Sequence, residues 1–161
     1  MKMQVWNGQF ANHYMYGIWR AISEMLPRET GEAILERTSE IVFDEIQKEQ
    51  GINETEPMAL LQRLARYFED MGYAEETIEP IGPYELKRSM TNLTLTDCPA
   101  KLGKEGHIIP GPSHHIMWAA LKKQCGLKVV PKPIPGGASP YQEGVPPHKW
   151  VFRSHWVLEK I

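Results

Sequence analysis

Four residues with broad chemical range fall within one stretch of the chain: Cys98, His107, His114 and His115, with Cys125 a little further on. Thiolate and imidazole are ligands that zinc and iron accept, and catalytic zinc needs three protein ligands and one open position. The segment from Ser113 to Cys125 reads as a helix, which trims the set. His114 and Cys125 then lie about 16 Å apart along the axis, too far to share an ion. His114 and His115 point about 100° apart around the same helix, so a joint bite is awkward. The remaining candidate metal site is Cys98, His107 and one of His114 or His115, holding zinc or iron. A second chemistry uses the same residues. A thiolate near an imidazolium or a helix N-terminus is activated, so Cys98 with a neighbouring histidine base, close to the helix that Ser113 begins, is a candidate nucleophile. Against both stands the reading of Cys98 as a small buried hydrophobe and of the histidines as polar loop and cap residues.

A third chemistry is binding without reaction. The chain has 5 Trp and 8 Met, and soft methionines and broad aromatic faces line adaptable apolar pockets. Trp19, Met117, Trp118, Trp150 and Trp156 fall on segments expected to face the interior. Cys98, Met117, Trp118 and Trp156 are the residues expected near a ligand. His148 stands at the mouth of a proline- and glycine-dense segment, Pro131 to Pro147. A loop of that length inside a domain is usually a lid or an interface.

The elements that must position these groups follow from periodicity. Tyr14, Ile18, Ile22 and Met25 repeat at helical spacing over about Asn12–Met25, with Pro27 as a stop. A second helix is expected over Glu29–Gln50, with its stripe on Ile34, Leu35, Thr38, Ile41, Val42 and Ile46 and Gly51 at its C-terminus. A third carries Leu60, Leu61, Leu64, Tyr67, Phe68 and Met71. Asn53 or Thr55 is its cap and Pro57 sits in its first turn. After Gly72 the period changes to that of strands, Tyr73–Ile81 and Tyr84–Thr96, joined at Gly82-Pro83. The change of apolar parity between Leu86/Met90 and Leu93/Leu95 predicts a bulge near Thr91, and Asp97-Cys98-Pro99 ends the strand. Glu85, Lys87 and Arg88 read as edge or solvent-facing charges. A loop Ala100–Pro112, the helix Ser113–Cys125, and strands Leu127–Val130 and Trp150–Lys160 complete the chain. On the last strand, Trp150, Phe152, Trp156 and Leu158 share one face, and Arg153, His155 and Glu159 the other. The order α-α-α-β-β-α-β-β predicts an α+β fold, helices on an antiparallel sheet, in one domain over residues 1–161.

Composition excludes some classes. With 42% hydrophobic and 24% charged residues the chain is globular in type, not disordered. No apolar run is long enough to span a bilayer, and the N-terminal stretch lacks the apolar core of a signal peptide. A cytoplasmic location with two reduced thiols is expected. Residues 1–100 hold 9 Lys/Arg against 17 Asp/Glu, and residues 101–161 hold 9 against 3. Two parts of opposite sign suggest that they face each other or a symmetry mate. The basic part has no dense Lys/Arg run interleaved with aromatics, so no nucleic-acid partner is expected.

This order of elements, with a strand ending near Thr96-Asp97-Cys98-Pro99 and a helix Ser113–Cys125 before a final strand pair, resembles the 4-vinyl-reductase (hydrocarbon-binding) domain. That domain shares its fold with the TRAPP vesicle-tethering subunits and the haem nitric-oxide-binding domains. The resemblance covers residues 10–161 and rests on topology and pattern. It implies a small apolar ligand in a pocket between helices and sheet, and a homodimer formed through the N-terminal helices. Relatives on that branch often carry cysteines in the closing strand pair. The stretch Pro146-Pro147-His148-Lys149-Trp150-Val151-Phe152 has none, so no cysteine chemistry is carried over. The chain is therefore expected to be a small-molecule sensor or carrier. A small metal- or thiol-dependent enzyme and a dimeric tethering subunit are the alternatives.

Overall fold

The computed structural model describes residues 8–135, 144–146 and 149–161. In chain order the elements are α1 (Gly8–Met25), α2 (Arg28–Gln50), α3 (Pro57–Asp70), β1 (Glu75–Gly82), β2 (Glu85–Thr91), α4 (Asp97–Lys104) and α5 (Pro112–Ala120). A π-helical turn (Leu121–Cys125), β3 (Leu127–Lys132) and β4 (Phe152–Lys160) follow. The strands pair antiparallel in the order β1-β2-β4-β3. The fold class is α+β, as the period change after Gly72 implied. No helix among the described residues is long and apolar enough to cross a membrane.

Two apolar clusters organise the interior. The larger joins Phe43 and Ile46 of α2, Leu60, Leu61 and Leu64 of α3, and Met117 and Ala120 of α5 to Leu86, Trp156 and Leu158 of the sheet. Each large side chain so buried contributes about 1.5–3 kcal/mol. The smaller joins Trp19 of α1 and Leu35 of α2 to Cys98, Leu102 and Ile108. Along β4 the burial alternates as expected, with Ser154, Trp156 and Leu158 inside and Arg153 and Glu159 exposed.

The middle of the chain departs from the sequence pattern. β2 stops at Thr91, and Asn92 follows with a φ of 52°, in the left-handed region that asparagine tolerates. No bulge forms near Thr91; the β1–β2 register shifts instead between Pro80 and Gly82. Asp97-Cys98-Pro99 does not end a strand but opens α4, where a loop was expected. Proline is accepted there because the first turn leaves its N–H positions without intrahelical partners. The cap comes from another helix: Asn12 Oδ1 accepts from the Thr96 and Cys98 amides at 3.0 and 3.1 Å. Asn12 Nδ2 donates to the Thr94 carbonyl at 2.8 Å, so α1 and the start of α4 are locked together.

Caps also moved. Glu56, not Thr55 or Asn53, caps α3, its carboxylate accepting from the Met58 and Ala59 amides at 3.0 and 2.7 Å. Gly111, not Ser113, precedes α5, and Pro112 is its first residue. The acidic flank of α2 meets the basic π turn, with Lys122 at 2.9 Å from Glu36 and Lys123 at 2.6 Å from Asp44. The charge asymmetry is thus partly answered within the chain, by exposed pairs worth about 0–1 kcal/mol each.

Candidate functional site

The central feature is an arginine that the sequence placed in solvent. β2 lies between β1 and β4, so it has no free edge, and Arg88 shares the inward parity of Leu86 and Met90. Arg88 is only 2% exposed, which corrects its assignment as an edge or solvent-facing charge. Its guanidinium forms a two-pronged pair with Glu76 of β1, Nε to Oε2 at 2.9 Å and Nη2 to Oε1 at 2.7 Å. Both side chains have no exposed surface. A buried charge is tolerated only when paired and hydrogen-bonded, and two of the three remaining N–H groups are used. Nη2 donates to Ser113 Oγ at 2.7 Å, Nη1 donates to His114 Nδ1 at 2.6 Å, and the planar group lies 5.2 Å from the Trp156 ring centre.

This arrangement fixes the state of His114. Arginine only donates, so Nδ1 must accept, and the neutral ring carries its proton on Nε2. Desolvation, then the neighbouring Arg88 charge, hold His114 well below the usual histidine range. Aromatic edges enclose the ring, with Phe152 at 4.9 Å and Trp156 at 5.2 Å between centroids. His115, one position on, is also lowered by desolvation. The Tyr73 phenol is raised far above its normal range by burial, and Ser113 is its side-chain hydrogen-bond partner. The cluster therefore presents neutral hydroxyl and imidazole groups outward while its two charges cancel behind them.

Those neutral groups form the base of a pocket of about 230 Å³. Tyr73, Ser113 and His114 line its polar part, and Leu93, Leu95, Trp150 and Phe152 its apolar walls. Trp150 is oriented by its indole donating to the Val145 carbonyl at 2.9 Å. A larger cleft, about 530 Å³, opens between α2, α5 and β3. Its apolar lining includes Leu35, Trp118, Leu127 and Val129. The Trp118 indole N–H is buried with no acceptor among the described residues, an omission that costs about 1–3 kcal/mol unless something reaches it.

The residues singled out from sequence separate. His114 and His115 line the smaller pocket; His107, His115 and Trp118 line the cleft. Met117 and Trp156 fill the larger core. Cys98 is 1% exposed in the smaller cluster, and burial raises its thiol to about 11. At neutral pH it is a protonated, enclosed hydrophobe and not an activated thiolate. His107 stands 3.5 Å from Glu105. Among the described residues, no three His, Cys, Asp or Glu side chains gather as a metal ion needs, so Cys98, His107, His114 and His115 form no zinc or iron centre there. His148 lies outside the described residues, as does most of the expected lid. Arg88, Glu76 and Tyr73 were missed. The available signal was parity, since a charge that alternates with Leu86 and Met90 belongs on their face.

Comparison with protein-family models, curated proteins and solved structures gives no match for the chain.

Proposed function

We propose that this chain binds a small, largely apolar molecule, as a sensor or carrier, in the pocket above His114. The observation that carries the reading is the pairing of aromatic and aliphatic walls with a base of neutral donors and acceptors, backed by a fully compensated Arg88–Glu76 pair. Such a lining suits an apolar body with one hydrogen-bonding end, because few, placed polar groups orient ligands in otherwise apolar sites. The neutral His114 adds a single Nε2–H donor, and an apolar ligand meets no uncompensated charge. The resemblance to the hydrocarbon-binding domain points the same way and forms part of this proposal.

Titration with 2-naphthol, an apolar body bearing one hydroxyl, tests it through quenching of Trp150 and Trp118 fluorescence. Saturable binding that Leu93→Trp abolishes, by filling the partly exposed rim, supports the reading. Linear, unsaturating quenching in the wild type sinks it.

A second reading, a dimeric or tethering role, rests on a separate observation. α1 exposes Phe10, Tyr14, Ile18 and Met25, the last at 79%, a run of apolar side chains on the surface. Light scattering coupled to size exclusion should then give a dimer mass that Tyr14→Lys with Ile18→Lys reduces to a monomer.

A further inference from the structure

The two cavities have walls in common. Ile109 and His115 line both the pocket above His114 and the cleft between α2, α5 and β3. We infer that they are compartments of one site, divided by the Ile109–His115 partition, and that its ligand is an elongated amphiphile. The polar end occupies the pocket and an apolar chain continues past Ile109 into the cleft. This rests on the pocket reading above.

Three observations support it. The pocket alone, at about 230 Å³, falls below the range of about 300–1,000 Å³ usual for small-molecule sites; the cleft, at about 530 Å³, brings the joint site within it. The partition is loosely held, because Ile109 is 45% exposed and its side chain can turn without opening the core. The rim charges of the cleft are already matched, with Arg28 at 2.8 Å from Glu32, Lys122 at 2.9 Å from Glu36 and Lys128 at 3.3 Å from Glu159. A charged tail gains nothing there, whereas an apolar one covers Leu35, Leu127 and Val129. The strap that carries Ile109 is fixed on its other side. Ile108 is buried against Gly31 of α2, and its amide donates to Ser23 Oγ at 3.1 Å. The residue before Ile109 is thereby anchored.

Competition of hexanol, decanol and tetradecanol against 2-naphthol tests the inference. In the wild type, affinity should keep rising with chain length, by up to roughly fourfold per added methylene (about 0.8 kcal/mol each). Ile109→Trp, which walls off the cleft, should flatten the rise beyond hexanol. Val129→Trp, which fills the cleft from β3, should flatten it too and serves if the first variant does not fold. A flat series in the wild type, with 2-naphthol still saturating, overturns this inference alone. A rise that neither variant alters overturns it as well. Failure of 2-naphthol itself removes the pocket reading beneath.

Discussion

Cys98 and Arg88 are both almost fully buried, yet their surroundings have opposite characters. Around Cys98 the packing is apolar, from Trp19, Leu35, Leu102 and Ile108, and burial quenches the thiol. Around Arg88 the packing is polar, with Glu76, Ser113 and His114 taking up four of its five N–H donors. The first region holds α1 and α4 against α2 and opens onto neither the pocket nor the cleft through Cys98. The second is stiff and expensive to disturb, and its outer members are pocket wall. Burial alone therefore does not mark a site; what matters is whether buried polar groups end at a cavity.

The largest effect that would break this contrast is at the charge pair. Arg88→Ala leaves Glu76 buried without a partner and should cost about 3–5 kcal/mol, read as a lower urea midpoint. Replacing both, Arg88→Met with Glu76→Met, should recover most of that loss, because an apolar pair of similar volume is often neutral or stabilising. A double variant as unstable as Arg88→Ala would show that Arg88 holds the pocket mainly through Ser113 and His114. On the other side, Leu102→Ala should cost about 2–5 kcal/mol as an ordinary core cavity, with 2-naphthol affinity unchanged in the folded fraction.

A smaller effect separates the regions by pH. His114 and His115 titrate lower when folded than when unfolded. The unfolded chain thus binds protons first, and stability rises with pH across that window. It should be fully present above the unfolded histidine value near 6.5 and decline as pH falls below it, by at most about 1.4 kcal/mol per unit for each histidine. His114→Phe should flatten part of that slope in melts between pH 7.5 and 5. The smallest effect is chemical. At pH 8 iodoacetamide should modify Cys125, which is partly exposed, before Cys98, whose thiol is both enclosed and raised to about 11. Peptide mass mapping over time reads the order, and equal rates would mean that the α1–α4 cluster opens readily.

The three long helices were legible because their apolar residues repeat at helical spacing and because glycine stops α2 at Gly51, whose φ is 63°. The alternation of β4 was legible for the same kind of reason. α4 was not, because its cap is Asn12, eighty-odd residues away in the chain, and Pro99 in a first turn looks like a strand terminator. Arg88 was misplaced because a cluster of charges suggests an edge, and pairing order is a long-range property. His114 was read as a metal ligand or a base, whereas the structure holds it as a neutral ring against Arg88, because the arginine that fixes it lies 26 residues away in the chain.

Gly31 carries a consequence out of proportion to its size. A methyl group there would stand 2.4 Å from Ile108 Cδ1, so even alanine would push aside the side chain by which Ile108 anchors the strap. The neighbour in that strap is Ile109, the shared wall of pocket and cleft. The bore of the joint cavity is therefore set in part from the buried side of α2, at a position that no ligand touches. Ligand size could be retuned by a single methylene-scale change there while every lining residue stays the same.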